Sequence, residues 1–209
     1  MKDDAQAIPS DLDIVQGTVG MVGDARIGVR SVAIGSPAFQ GAPAVASAVV
    51  VIARTIGGVN TETTLPVREG ASLPLGDGWH HVTRVVPPGV SDNRGSVAIA
   101  REAIDADGHA MAVLVADGSL RIGGPDIGNA FEVTALAFRP DARAPASVDI
   151  EWRPSAYSRK DTAPERIRTQ SLAAGQTLVL PNAQLRVARI EADTPQHAAR
   201  MLFDVAPAR

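Results

Sequence analysis

Cysteine is absent from the 209 residues. The chain therefore forms no disulfide, and it has no thiolate that could bind a metal ion or attack a substrate. Aromatic residues make up only 3% of the sequence, so Val, Ala, Leu and Ile must fill the core. A core with so many β-branched side chains favours sheets.

The chain also lacks a basic excess and long apolar runs. Its net charge is -3, and its only lysines are Lys2 and Lys160. Because nucleic-acid binding requires a basic surface, nucleic acid is not an expected partner. The longest apolar run, residues 45–53, is far shorter than the roughly 20 residues of a membrane-spanning helix. We therefore expect no membrane partner.

The first residues, "MKDDAQAIPSD", carry acidic side chains where a signal peptide has a basic region followed by an apolar segment. This composition predicts a cytoplasmic protein as the sequence is written. An exported protein whose leader has been removed is the alternative.

What the sequence does contain is a succession of strand patterns. In "SVDIEW", Val148, Ile150 and Trp152 alternate with acidic residues, which predicts one buried and one exposed face. The continuous apolar runs 48–53 and 111–115 are typical of strands buried on both faces. Gly-rich and Asp-Gly turns separate these runs, and 15 prolines disfavour long helices. We predict an all-β protein with little helix.

Two stretches of the chain resemble each other. An offset of 105 residues matches members of 69–86 with members of 174–190: Gly70 with Gly175, Leu73 with Leu178, Leu75 with Leu180, Val82 with Val187, and Arg84 with Arg189. Matches in the same order predict an internal duplication. We therefore expect two tandem, internally duplicated β-sandwich-like domains, Ig-like or jelly-roll, over residues 1–106 and 107–209.

Each copy of this unit has a predicted local structure. Leucines two residues apart face one side of a strand and enter a core, and residues 77–78 and 181–182 form the turns. Val82 and Val85 are three residues apart, a spacing that a flat strand does not place on one face. Either both faces are covered or a β-bulge lies near Arg84 and Arg189.

The segment "GASLPLGDGWHH" resembles the second motif of the cupin family. Gly70, Gly78 and His81 are in register with that motif, whereas Gly76 stands at its proline. In the second half Gly175 and Pro181 match, but Ala183 and Arg186 replace the glycine and the histidine. The resemblance implies a bicupin without its metal site, because no histidine precedes His80 to form the first cupin motif.

Motifs of catalysis and cofactor binding are missing. The four histidines are His80, His81, His109 and His197, and the adjacent pair should point to opposite faces of a strand. The sequence contains no His-x-His pair, no nucleophile elbow, no dinucleotide fingerprint and no Walker loop. We therefore predict no catalytic residues, no metal ligands and no cofactor.

A binding surface is the remaining expectation, because Trp and Arg are common anchors of protein interfaces. The candidate partner-binding residues are Trp79, His80, His81, Arg84, Tyr157, Arg159 and Arg166. They predict a non-catalytic protein that binds another protein, or assembles with itself or in a larger assembly. It would serve as an inhibitor or immunity-type protein, or as a structural component of a bacterial or phage assembly. Two alternatives stay open: a degenerate bicupin that binds a small molecule or sugar, and an enzyme whose dispersed site has no linear motif.

Overall fold

The regular secondary structure of the described residues consists of strands. A computed structural model describes residues 12–34, 45–76, 78–90, 93–101, 111–123, 130–139, 147–155, 167–194 and 198–208. The strands of the first half are β1 (Leu12–Val15), β2 (Val19–Val22), β3 (Ala25–Ile34), β4 (Ala46–Ile56), β5 (Val59–Arg68), β6 (Ser72–Leu75), β7 (Gly78–Val86) and β8 (Ser96–Arg101). Those of the second half are β9 (Met111–Val115), β10 (Ser119–Gly123), β11 (Phe131–Arg139), β12 (Ser147–Pro154), β13 (Arg168–Ala173), β14 (Thr177–Val179), β15 (Ala183–Glu191) and β16 (Arg200–Pro207). The prediction of an all-β, sandwich-like fold is confirmed.

The strands form three antiparallel sheets. The central sheet has eight strands in the order β2-β3-β4-β5-β10-β11-β12-β13. The first small sheet has the order β1-β8-β7-β6, and the second small sheet has the order β9-β16-β15-β14. Strands β5 and β10 pair directly, so the central sheet runs through both halves of the chain.

Both small sheets cover the same face of the central sheet. Leu65 on β5 belongs to the core under the first small sheet, and Leu120 on β10 belongs to the core under the second. Leu120 lies opposite Thr63, two residues from Leu65, and side chains two apart on a strand share a face. The two cores therefore lie side by side on one face, and they consist mainly of Val, Leu and Ile.

The pairing order of the first half recurs in the second. Equivalent bulges shift the register between Val82 and Arg84 and between Val187 and Arg189. The N–H of Gly70 donates to the carbonyl of Val82 at 2.7 Å, and the N–H of Gly175 donates to that of Val187 at 2.8 Å. These features agree with the offset of 105 residues, whereas the duplication itself and the boundaries 1–106 and 107–209 stay predictions.

Several local predictions are confirmed. Strand β12 buries Val148, Ile150 and Trp152 and leaves the intervening side chains partly exposed. The predicted bulges are present, and the leucines of both repeated stretches are buried: Leu73, Leu75, Leu178 and Leu180.

Two details differ from the expectation. The apolar run 48–53 was predicted to be buried on both faces, but burial alternates along β4 because the small sheets cover only one face of the central sheet. Among the described strands, neighbours in sequence mostly pair side by side, and each small sheet is completed by pairing of the first and last strands of its half. This is a meander order, and it lacks the crossover of the Greek key that Ig-like and jelly-roll folds contain.

Candidate functional site

Trp79 is buried at a contact between the two halves. Only 7% of it is exposed, although an interface anchor would be open to a partner. The guanidinium carbons of Arg189 and Arg200 lie 5.3 and 5.2 Å from the centre of its ring. Both arginines come from the second half, so this tryptophan already has an intramolecular cation–π partner on each of two strands.

A carboxylate completes this cluster. Oε1 of Glu191 is 2.8 Å from Nε of Arg189, and Oε2 accepts a hydrogen bond from Nε of Arg200. Nη1 of Arg200 donates to the backbone carbonyl of Ser72 in the first half. The arginine side chain is 7% exposed, so the cluster holds the halves together from the inside.

The other predicted partner-binding residues do not converge on this cluster. His80 is buried, with Nδ1 3.4 Å from the carbonyl oxygen of Gly78, and His81 is half-buried on the same strand. Arg84 lies at the surface, where Nη2 is 3.3 Å from Oδ2 of Asp13. Tyr157, Arg159 and Arg166 lie outside the described residues, as do His109 and His197. The proposed roles of all seven residues stay predictions.

The described residues leave the outer face of the central sheet, opposite the two cores, uncovered by either small sheet. One cross-strand line on this face, which we call the charged row, follows the register of seven strands: Met21, Arg26, Ala53, Glu62, Arg121, Glu132 and Arg153. Its charges alternate in sign from Glu62 onward.

Ion pairs fix most of the charged row. Nη1 of Arg121 lies 2.9 Å from Oε1 of Glu62, and this pair crosses the junction between β10 and β5. Nη2 of Arg153 lies 3.3 Å from Oε2 of Glu132. Arg26 is exposed, and within the part of the chain that the structure describes its guanidinium has no ionic partner. It is therefore the cation of the row that is open to a ligand.

A groove of about 590 Å³ lies beside Arg26. Its lining includes polar side chains and both signs of charge, namely Asp24, Arg26, Thr55, Asn60, Glu62 and Arg121. Oγ1 of Thr55 donates to Oδ1 of Asn60 at 2.8 Å, which orients the amide. From β3 to β11, the next cross-strand line along the sheet carries small side chains, namely Gly28, Val51, Thr64, Ser119 and Thr134. These five residues, which we call the flat strip, lie beside the groove. On β12 the line continues with Glu151.

A second groove of about 380 Å³ lies farther along the same sheet, where β4 and β5 meet Asp193, Thr194 and Ala198. Asp117, Asp193 and Arg68 contribute its charged side chains. No group of three or more His, Asp or Glu residues that could hold a metal ion occurs among the described residues.

Sequence reasoning missed the charged row because its members are far apart along the chain. Glu62 and Arg121 become neighbours only through the pairing of β5 with β10, which no local pattern encodes. The alternation in "TETTLPV" does indicate that Glu62 faces away from the core, and this was the one available signal.

In the part of the chain that the structure describes, no helix is long and apolar enough to cross a membrane. Comparison of the chain with protein-family models, with curated proteins and with solved structures found no match.

Proposed function

We propose that this protein is non-catalytic and binds another protein through the outer face of its central sheet. The observation that carries the proposal is the charged row, which crosses seven strands on a face that the described residues leave open. A structural component of a larger assembly and an inhibitor of the immunity type would both use such a face. The assembly role is the one we favour, because the open face extends across eight strands, whereas an inhibitor that plugs a site needs a projecting element.

The charge pattern favours a protein partner over a nucleic acid. Neutralising a phosphate backbone requires a series of cationic side chains along the binding surface. The charged row instead alternates between arginine and glutamate. A folded protein presents both signs of charge, and complementary alternation fixes the register and orientation of two protein surfaces. The flat strip of small side chains beside the row allows close approach of a second surface.

Arg26 is the proposed anchor. It is exposed, it borders the groove, and within the described residues it has no ionic partner, so a carboxylate of the partner can form a bidentate pair with it. Asp24 and Asn60 on the groove wall supply acceptor oxygens for donors that flank this carboxylate. The partner surface is therefore expected to centre on an acidic side chain.

The groove also supports a second candidate, a small polar molecule with a carboxylate. Its volume of about 590 Å³ lies within the range of roughly 300–1,000 Å³ that is usual for ligand pockets. Thr134 separates the two candidates because it lies on the flat strip outside the groove lining. Thr134→Arg should block a protein surface and leave binding of a small molecule unchanged.

The test begins with Arg26→Glu, and its matched control is Arg186→Glu. Arg186 is also exposed, but it lies on the second small sheet, where Nη1 is 3.4 Å from Oδ2 of Asp204. Capture from the native cell with quantitative mass spectrometry should identify a protein that the wild type and the control retain and that Arg26→Glu loses. With this protein purified, calorimetric titration of Arg26→Ala should show a loss of about 2 kcal/mol, roughly 30-fold in Kd, as at an interface anchor. Equal affinity of the wild type, Arg26→Ala and Arg26→Glu would contradict the proposal.

A further inference from the structure

The central sheet ends in two edge strands, β2 and β13. Each presents a row of backbone N–H and C=O groups that no other described strand pairs, and such edges recruit further strands. Large apolar side chains are exposed at both ends: Val19 is 66% and Met21 56% exposed on β2, and Ile167, immediately before β13, is 51% exposed. Monomeric proteins usually place charges at such edges instead.

The junction inside the chain shows how such edges fit together. Strand β10 has the position in its half that β2 has in the first, and β5 has the position that β13 has in the second. The pairing of β5 with β10 is therefore a pairing between a β13-like strand and a β2-like strand. In that junction Ser119 lies opposite Thr64, and Arg121 lies opposite Glu62.

The register of the edges follows from the bulges of β3 and β11. In the first half, Met21 pairs with Arg26, which lies four residues before the bulge at Arg30. In the second half, Arg121 pairs with Glu132, which lies four residues before the bulge at Leu136. Met21 is therefore the equivalent of Arg121, and Val19 is the equivalent of Ser119.

The other edge is matched in the same way. The residues before the two bulges pair with Val50 on β4 and with Ile150 on β12. On the next strand Val50 pairs with Leu65, and Ile150 pairs with Gln170. Gln170 on β13 is therefore the equivalent of Leu65 on β5. One residue back along these strands, Thr169 corresponds to Thr64. Two residues further back, Ile167 corresponds to Glu62.

We propose that a second copy of this chain pairs its β2 antiparallel with β13 of the first, in the register of the internal junction. Val19 of one copy then lies opposite Thr169 of the other, and Met21 lies opposite Ile167. The interface joins two different surfaces, so repetition generates a ring or an open filament with a continuous sheet. This inference goes beyond the proposed function and does not rest on it.

The side chains at the two edges complement each other. Where the internal junction has the ion pair of Arg121 with Glu62, the junction between copies brings together two exposed apolar side chains, and both leave water. A second contact follows from the hydrogen bond that Oγ1 of Thr63 donates to the carbonyl of Val113 at 3.1 Å. The equivalents of these two residues are Arg168 on β13 and Asp13 on β1, which lies beside β2. Their side chains carry opposite charges, and the carboxylate of Asp13 also pairs with Arg84 within the chain.

One residue makes the junction between copies weaker than the internal one. A Cβ at Gly118 would lie 2.7 Å from the carbonyl oxygen of Thr64, so the internal junction needs glycine there. The equivalent residue in the first half is Thr18, so β2 and β13 of two copies must shift apart locally. Thr18→Gly is therefore expected to strengthen the association.

Sedimentation velocity over a range of protein concentrations tests the proposal. The wild type should show a sedimentation coefficient that rises with concentration, and Thr18→Gly should shift this rise to lower concentration. Ile167→Lys and Met21→Lys should weaken the association about tenfold or more, since a lysine at an edge opposes strand pairing. Val90→Lys is the control, because Val90 is fully exposed and belongs to neither edge strand. Circular dichroism confirms that each variant is folded.

Disulfide trapping tests the register, because the chain has no cysteine of its own. An equimolar mixture of Val19→Cys and Thr169→Cys should give the mixed dimer in excess over either homodimer. A mixture in which Ser171→Cys replaces Thr169→Cys should not, because Ser171 lies two residues further along β13.

A sedimentation coefficient that is independent of concentration for the wild type and for Thr18→Gly would overturn the proposal. Predominance of the Val19→Cys homodimer would overturn it in favour of two-fold pairing of β2 with β2. Ile167→Lys lies far from the groove and should leave partner binding at Arg26 intact, so failure of one proposal is distinguishable from failure of the other.

Discussion

At the scale of single residues, the Glu191 carboxylate is held by two cations. It lies between the guanidinium groups of Arg189 and Arg200, and both of these face the ring of Trp79. Arg200 is 6% exposed, and a buried guanidinium needs its counter-charge because it cannot lose its proton. The cluster therefore stabilises the contact between the halves only while the carboxylate is present.

Glu191→Gln keeps the shape of the side chain and removes its charge. We expect the free energy of unfolding to fall by about 2 kcal/mol, below the value for a fully buried pair because the Glu191 side chain is partly exposed. Urea denaturation measures this change. Glu132→Gln is the matched control, since its pair with Arg153 is near the surface and should contribute less than about 1 kcal/mol. Equal losses in the two variants would contradict the clamp.

The sequence singled out Trp79 as a candidate residue, but it did not predict which side chains contact its ring. A tryptophan after a glycine-rich turn suggests either a core residue or an exposed anchor, and the local pattern does not separate these. Its burial depends on Arg189 and Arg200, more than a hundred residues away in the sequence. Trp152 was easier to assign because the alternation of its own strand already buries it.

At the scale of elements, the pairing of β5 with β10 depends on a close backbone approach. The turn before β10 places Gly118 against the neighbouring strand, where a Cβ would lie 2.7 Å from the carbonyl oxygen of Thr64 and 2.7 Å from a methyl group of Val115. Atoms at such a distance overlap, so an alanine would push the two strands apart. The junction between the halves therefore selects glycine at this position.

Gly118→Ala is expected to lower the free energy of unfolding by about 1–3 kcal/mol, as overpacking does in a close-packed interior. Gly28→Ala is the control, because a Cβ there meets its nearest neighbours at 3.6 and 3.8 Å, which are ordinary contacts. Thermal or urea denaturation of both variants gives the comparison. A tolerated Gly118→Ala, with stability like that of Gly28→Ala, would mean that the strands do not approach as described.

Elements within one half were predictable because their signals are local. The spacing of Val82 and Val85 indicated either a bulge or two covered faces, and the structure has a bulge there. The continuous apolar run of β4 suggested two covered faces, and this was wrong because the half-buried Val49 and Val51 face the open side of the central sheet. Apolar side chains are compatible with burial on both faces of a strand, but they do not show whether a second sheet covers each face.

At the scale of the whole molecule, the central claim is that the pairing of β5 with β10 makes one sheet from two like halves. The charged row depends on this junction, because Glu62 and Arg121 pair across it. Composition predicted the all-β class, but no sequence pattern predicted the junction, since it pairs strands about sixty residues apart. The four strands between them, β6 to β9, belong to the two small sheets.

Disulfide trapping within one chain tests this junction most directly. In antiparallel strands, opposite Cα atoms are about 4.5–5.5 Å apart, within the reach of a disulfide. Ser119→Cys with Thr64→Cys places cysteines at opposite positions on the outer face. In the control pair, Ser119→Cys with Asn60→Cys, the second site is four residues along β5, roughly 13 Å away. After oxidation at low protein concentration, peptide mapping should show near-complete linkage of residue 64 to residue 119 and little linkage in the control; equal or negligible linkage in both would contradict a continuous central sheet.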